Sequence, residues 1–404
     1  MAGVSAARLP STRRRARGRA ALAACALALV AGCAHARSTP APPVSATATG
    51  PGGGPVGQAP PARFAPTTAS FVTAKLGFAL GLSPCRPAGT TLCAALLRTA
   101  DGGIRWAALT PPPLLVLTDP SRHPLLRVAN ALDALAADGQ AGSPLALTHD
   151  GGHSWRLLQL PGAAADAEVS AVATLDGRYV VVAGDAAGQR VWAGSVTGED
   201  FTEAGLRLPG TATPVSLALA GDVGWLTAGA VYARLDATGT WRAATGPCAA
   251  GQGSAVTAAD ARQVLVICQD PPQGLTATRR AFASSDAGDT FTTLGGTGGD
   301  GFLVGAAAAS PMVLTVATSA VSDELLRSGD GGRVFALSYS SQAAGTGQGL
   351  YDLAFTDATH GSVVLGNTGT YALQLSAGDK DVPTTRLLLT SDGGGHWTQA
   401  VFAR

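Results

Sequence analysis

The sequence predicts an all-β fold of seven four-stranded sheets, and three observations predict it. An eight-residue pattern recurs along the chain, first as Thr99-Ala-Asp101-Gly-Gly103-Ile-Arg-Trp106. Its closing aromatic falls at 106, 155, 201, 241, 291, 335 and 397, a mean interval of 48.5 residues. That period suits one four-stranded blade of a β-propeller. Finally, apolar runs of Val, Leu, Thr and Ala alternate with Gly/Asp turns, and 53 glycines and 25 prolines argue for many turns and little helix.

Five copies of the pattern are clear. After the first come Thr148-His-Asp150-Gly-Gly152-His-Ser154-Trp155 and Ser284-Ser-Asp286-Ala-Gly288-Asp-Thr290-Phe291. Ser328-Gly-Asp330-Gly-Gly332-Arg-Val-Phe335 and Thr390-Ser-Asp392-Gly-Gly394-Gly-His-Trp397 complete the set. Two weaker copies fill the gaps: one keeps Asp236, Thr240 and Trp241, the other only Gly198 and Phe201. Asp-Gly-Gly supplies a tight hairpin, because glycine tolerates positive φ. The carboxylate can accept hydrogen bonds from turn amides, and the aromatic buries to staple the turn to its sheet.

Before each copy lie two apolar strands joined by a turn, as in Ser70–Gly81, Val169–Gly184, Val215–Gly229 and Leu353–Gly366. These read as the inner two strands of a blade, and the strands flanking the pattern complete four. Seven such units account for residues 67–404 as one domain, with six or eight blades left open by the decayed third copy.

The pattern Ser/Thr-x-Asp-x-Gly-x-Thr-Trp resembles the Asp-box, or BNR repeat, of sialidases, sortilin-type receptors, some xyloglucan-cleaving hydrolases and photosystem II assembly-factor-like propellers. The resemblance covers nearly all of residues 67–404 and implies a propeller with these hairpins on the rim, away from the usual active face. Asp101, Asp150, Asp236, Asp286, Asp330 and Asp392, with Trp106, Trp155, Trp241, Phe291, Phe335 and Trp397, are accordingly expected to be structural. Family members include enzymes and pure binding proteins, so the repeat does not name a function.

The N-terminus carries an export signature. Five arginines between Arg13 and Arg19 precede an apolar run, Ala20–Ala31, too short to span a bilayer. Leu29-Val-Ala-Gly-Cys33 resembles a bacterial lipobox, which implies cleavage after residue 32 and acylation of Cys33; the alternative is an ordinary secretory signal with an incidental cysteine. Arg13-Arg14 lacks the flanking residues of a twin-arginine signal. Residues 33–66 are rich in Ala, Pro, Ser, Thr and Gly, and are expected to form a flexible tether.

Residues 1–32 hold six of the 28 basic residues and no acid, so the remaining chain has 22 basic and 27 acidic residues. That balance leaves no basic patch for nucleic acid. Cys85, Cys93, Cys248 and Cys268 suit an exported protein with disulfides. Three pairings are possible. The local one, Cys85–Cys93 with Cys248–Cys268, is favoured because each pair flanks a turn-rich loop; no C-x-x-C spacing supports a metal site.

Several motifs point to chemistry and fail on context. Gly295-Gly-Thr-Gly-Gly-Asp300-Gly-Phe302 matches a calcium β-roll nonapeptide, but those sites need stacked copies and this is a single one. No βαβ unit accompanies its G-x-G-x-x-G. His149 and His153 sit in a hairpin turn, as does His396, and are expected to be exposed. A sialidase-type site would need three arginines, a Tyr–Glu pair, an Asp and an Arg-Ile-Pro motif ahead of the first repeat. Arg207-Leu208-Pro209 is the nearest match and lies after the third repeat; Glu168, Glu199, Glu203 and Glu324 lack that context. A hydrolase built on two Asp residues stays open.

These observations favour a monomeric, non-catalytic, lipid-anchored extracytoplasmic propeller, with no cofactor or metal. It would bind an envelope protein or glycan, or assist envelope assembly, with the lipid anchor its sole membrane contact. A glycoside hydrolase, exo-sialidase-like or other, is the alternative; a purely structural envelope scaffold is a third reading. Loops such as Pro271–Thr278 and Ser376–Thr385, the latter holding Asp379, Lys380 and Asp381, are where a partner could be met.

Overall fold

A computed structural model describes residues 58–402, except 62, 86–90, 115–122, 176, 186, 209–213, 275, 342–348 and 367–384. Cys33, the signal segment, most of the tether, and Asp379, Lys380 and Asp381 lie outside the described residues.

Seven antiparallel four-stranded sheets form a ring, each built from consecutive strands. Blade 1 holds β1–β4 at Ala65–Phe71, Gly77–Pro84, Leu92–Thr99 and Ala107–Leu109. Blade 2 holds β5–β8 at Leu125–Val128, Ala134–Ala137, Leu145–Thr148 and Arg156–Leu158. Blade 3 holds β9–β12 at Glu168–Leu175, Arg178–Asp185, Gly188–Ser195 and Phe201–Leu208. Blade 4 holds β13–β16 at Val215–Ala220, Val223–Ala228, Val231–Leu235 and Trp241–Ala244. Blade 5 holds β17–β20 at Gly253–Ala258, Val264–Gln269, Arg279–Ser284 and Thr292–Gly296. Blade 6 holds β21–β24 at Phe302–Ala308, Leu314–Ser319, Asp323–Ser328 and Ala336–Ser341. Blade 7 holds β25–β28 at Leu350–Phe355, Gly361–Leu365, Arg386–Thr390 and Thr398–Gln399.

The first strand of each blade is innermost, and β1, β5, β9, β13, β17, β21 and β25 neighbour one another around the axis. All seven repeats, including the decayed ones, connect the third and fourth strands of a blade, as expected from the sequence.

Middle strands are apolar on both sides because each blade is sandwiched between two others. In β10, Tyr179, Val181 and Ala183 pack with Leu135 and Leu147 of blade 2. Val180 and Val182 of the same strand pack the other way, with Leu226 and Ala233 of blade 4. Outer strands meet solvent, so β16 buries Trp241 and exposes the three residues after it.

Antiparallel connectivity sorts the loops onto two faces. The turn between strands one and two and the repeat turn share one face, here the repeat face. A recurring bond ties them together: the residue after the repeat's Asp donates its N–H to the neighbouring turn, as in Gly102 to Lys75 O (2.9 Å), Gly151 to Leu132 O (2.8 Å) and Gly393 to Thr359 O (2.8 Å). Connections between strands two and three, and between blades, occupy the opposite face.

Structured chain begins before Thr67: β1 starts at Ala65, Phe64 is buried, and Gln58 bridges Ala108 at the outer edge of blade 1. Among the described strands, blades 1 and 7 exchange none, so the ring closes by side-chain contact. Phe402, following the last strand, packs on Phe64 and Trp106 with ring centroids 4.8 and 5.1 Å apart.

Candidate functional site

The repeat turns come first, because the sequence places most of its distinctive residues there. In the second copy Asp150 Oδ1 accepts from the Ser154 amide (2.9 Å) and the Thr148 hydroxyl (2.8 Å), while Oδ2 accepts from the Ser154 hydroxyl (2.6 Å). Thr148 Oγ1 in turn accepts the Gly152 amide at 3.0 Å. The first, fifth, sixth and seventh copies repeat this hydroxyl-to-amide bond from Thr99, Ser284, Ser328 and Thr390. The hydroxyl in position one and the glycine in position five are thus two halves of one contact. The fourth copy, without the leading hydroxyl, still closes on Asp236 through the Thr238 and Thr240 amides, both at 3.0 Å.

The same bonds set the electrostatics. Burial raises the Asp150 carboxyl, but donors from Ser154, Thr148 and His153 outweigh it and hold it at about 2. The Thr290 hydroxyl and amide hold Asp286 well below its ordinary value, and His396 does so for Asp392. Trp106 Nε1 donates to Gly103 O (3.0 Å) and Trp155 Nε1 to Thr110 O (2.9 Å), so the closing aromatic satisfies its polar end while it packs. Each of these carboxylates is bonded within its own turn.

The second cluster lies along the channel, where four inner strands meet. Asp352, on β25, adopts φ +56° at an irregularity in its pairing with β26. Asp tolerates this left-handed geometry better than most residues. Its Oδ2 accepts from the Thr68 hydroxyl (2.5 Å) and the Ala69 amide (3.1 Å), both on β1. Its Oδ1 lies 2.7 Å from Arg127 Nη1 on β5. Arg127 also donates to its own neighbour, Leu126 O (2.7 Å), and through Nε to Val172 O on β9 (2.9 Å). Thr68 Oγ1 accepts the Leu126 amide at 3.3 Å, and Ser70 Oγ accepts the Val128 amide at 3.0 Å. One carboxylate–guanidinium pair therefore links blades 7, 1, 2 and 3 across the seam where the ring closes.

On the opposite face, His123 stacks on Tyr351 with centroids 3.5 Å apart, joining the entry of β5 to β25. Burial raises the Tyr351 hydroxyl, and nearby Asp323 adds to the rise. Asp323 is itself fully buried, accepting from the Ser319 hydroxyl (2.5 Å) and the Gly349 amide (3.0 Å).

The glycine-rich segment Gly295–Phe302 wraps a cation of the protein's own. Arg279, 3% exposed, donates to Thr297 Oγ1 (3.2 Å), Gly298 O (2.6 Å), Gly299 O (2.7 Å) and Gly301 O. Burial lowers the Arg279 pKa, against the pull of Glu324 and Asp300. Among the described residues, no group of three or more His, Cys, Asp or Glu side chains is placed to hold a metal.

The cysteines pair locally, Cys85–Cys93 and Cys248–Cys268. Both bridges lie on the face opposite the repeats. The second joins the connection between blades 4 and 5 to β18, and so ties two blades rather than closing a loop within one.

The histidines differ from expectation in one case. His153 and His396 are exposed, but His149 is part-buried with Nδ1 2.6 Å from Asp133 Oδ1, because Asp133 sits in the adjoining turn. Glu199 pairs with Arg156 (2.7 Å), Glu203 with Arg190 (3.2 Å), and Glu324 accepts the Asp300 amide (3.1 Å). Arg207 and Leu208 end strand β12, and Pro209 lies outside the described residues.

The sequence did not single out Asp352, Arg127, His123 or Tyr351. The available signal was a charge inside each of two apolar inner strands, Leu350-Tyr-Asp-Leu and Leu125-Leu-Arg-Val. Without the fold nothing joins them.

The chain matches no family model and no curated protein sequence. Solved structures do resemble it. One is YCF48 bound to a D1 peptide, with a TM-score of 0.51 and 16% identity, covering 83% of this chain and 95% of that one. Another is an ulvan lyase, a polysaccharide lyase, bound to a GlcA–Rha3S oligosaccharide. Its TM-score is 0.52 at 10% identity, covering 86% of this chain and 97% of that one. At these identities the likeness is one of fold.

Proposed function

We propose that this chain is an exported, lipid-anchored propeller that binds a protein or glycan partner without catalysing a reaction on it. The observation that carries this reading is the commitment of its conspicuous carboxylates. Those of the clear repeats have both oxygens or their turn donors engaged, and Asp352 holds the ring seam. Glycoside hydrolysis needs two carboxyl groups free to act on either side of the scissile bond, about 5–9 Å apart. The solved propellers of similar fold include one bound to a peptide, which supports a partner-binding role. Two disulfides suit an oxidising compartment, and among the described residues no helix is long and apolar enough to cross a membrane. Cys33 after its short apolar run would supply the anchor, and residues 34–57 the tether.

The second reading, a glycosidase, is favoured by the likeness to a polysaccharide-bound lyase and by His123 and Tyr351 near the channel. Metabolic labelling with a lipid precursor tests the anchor: label on the wild type and none on Cys33→Ala is expected, and a labelled Cys33→Ala protein contradicts it. An envelope pull-down with the mature chain tests the partner. Saturable capture of one component is expected; capture that rises without limit with protein concentration contradicts specific binding.

A further inference from the structure

We infer that the cleft between blades 5 and 6 on the repeat face binds a small organic acid, with its carboxylate on Arg333 and its apolar body on a wall of leucines. The site does not depend on the partner-binding reading. The cleft holds about 320 Å³, against about 80 Å³ between blades 7 and 1. The corresponding cleft between blades 1 and 2 has no room for a water molecule. Sites for small molecules begin at about 300 Å³.

Arg333 sets the head group. It lines the cleft, is exposed, and donates from Nη1 to Asp330 O at 2.7 Å. Its Nε and Nη2 have no partner among the described residues. Those two N–H groups point the same way from one edge of the guanidinium, the edge that takes both oxygens of a carboxylate. Among the described residues, no carboxylate lines the cleft to balance this charge. Those of the two flanking repeat turns are engaged in place. Asp286 accepts from the Thr290 hydroxyl (2.6 Å) and the Ser284 hydroxyl (2.7 Å). Asp330 accepts from the Arg333 and Val334 amides, both at 3.0 Å. The Val334 amide does most to hold the Asp330 carboxyl below its ordinary value, and the Arg333 charge does least.

Gln263, Ser285 and Thr292 line the same cleft, are exposed, and have side chains with no partner among the described residues. An amide and two hydroxyls can each donate to the second lone pairs of a carboxylate. Much of the remaining wall is apolar. The Cδ1 atoms of Leu294, Leu314 and Leu265 converge on Gly332, at 3.0, 3.2 and 3.3 Å from where a β-carbon would stand. Met312 Sδ and Arg333 Nη1 both lie 3.8 Å from the same point on Gly331, so charge and apolar wall adjoin.

That combination selects the ligand. A pyranose carries a hydroxyl on nearly every carbon, and pressing it on leucines strips those hydroxyls of water without replacing it. A neutral apolar molecule leaves the guanidinium edge unused. A dianion brings a second charge, and Arg333 is the one cation in the wall among the described residues.

The test titrates the purified protein with hexanoate by calorimetry, beside hexanamide, acetate and glucuronate. Saturable hexanoate binding is expected, with the other three weaker by about tenfold or more. Hexanamide lacks the charge, acetate the body, and glucuronate would bury hydroxyls. Arg333→Gln should weaken hexanoate by about tenfold and leave hexanamide unchanged, while Arg333→Lys, which keeps the charge, should retain part of the affinity. Should loss of the Nη1 bond unsettle the turn, Ser285→Trp fills the cleft from an exposed side chain and should abolish hexanoate binding at an unchanged melting temperature. No saturation, hexanamide or glucuronate binding as well as hexanoate, or equal hexanoate binding to a folded Arg333→Gln or Ser285→Trp protein would each overturn the inference. A hexapeptide ending in leucine carries the same chemistry on a chain end. Weaker binding than hexanoate agrees with a free acid; tighter binding that is lost on C-terminal amidation overturns it in favour of a polypeptide terminus.

Discussion

Ala287 stands in the fifth repeat where the other clear copies have glycine, and it keeps their left-handed backbone at φ +62°. The side chain costs about 1 kcal/mol in that region. Ala287→Gly should therefore raise stability by roughly that amount, read as a higher denaturation midpoint, despite the glycine's greater freedom when unfolded. An unchanged or lower midpoint would show that the turn has relaxed around the methyl group. Asp150→Ala makes the opposite case. It removes the acceptor for the Ser154 amide and hydroxyl, and should cost about 1–3 kcal/mol while leaving partner affinity unchanged. Lost affinity with an unchanged melting point would mean that Asp150 is a ligand contact. The pH dependence follows from the same carboxyl. Its folded pKa of about 2 lies below the ordinary 3.8, so the folded state favours the charged form. That contribution is present in full above about pH 4 and is lost as pH falls toward 2. A melting temperature that declines across this window in the wild type, and declines less in Asp150→Ala, is expected; parallel declines would contradict it.

At the scale of elements, the inner strands explain closure without strand exchange. Asp352 ties β25 to β1 and β5, and Arg127 extends the tie to β9. Removing the carboxylate leaves Arg127 part-buried and unbalanced, so Asp352→Ala should cost about 2–4 kcal/mol. Hydrogen exchange should rise first in β1 and β25 if the seam is the affected place. Uniform exchange across all blades would place the loss elsewhere. Arg279→Met should likewise loosen residues 297–301, because four acceptors lose their donor. These two devices mark the difference between what the chain shows and what it hides. A repeat turn is legible because the bonds that close it fall within eight residues: Thr148, Asp150, Gly152 and Ser154 carry both the pattern and those bonds. The seam is not, because Asp352 and Arg127 are 225 positions apart and each stands alone in an apolar strand. The glycine segment misleads for a related reason. Its carbonyls do gather a cation, but that cation is Arg279, supplied from a neighbouring strand rather than from solution.

For the whole molecule, the repeats make a ring that is held together at several separate places. Repeat carboxylates hold the hairpins, the Asp352 pair holds the seam, and both disulfides brace the opposite face. Seven blades were readable from the spacing of the aromatics, because each blade spends a similar length of chain on four short strands. The seam between blades 7 and 1 was not, since Asp352, Thr68 and Arg127 meet there from strands far apart in the chain. The most direct measurement of the central claim is glycoside turnover by the folded chain across a panel of sialosides and other envelope glycans. No release above the protein-free blank is predicted. Release that is abolished by Asp352→Asn in a protein that keeps its fold would contradict a non-catalytic, partner-binding propeller.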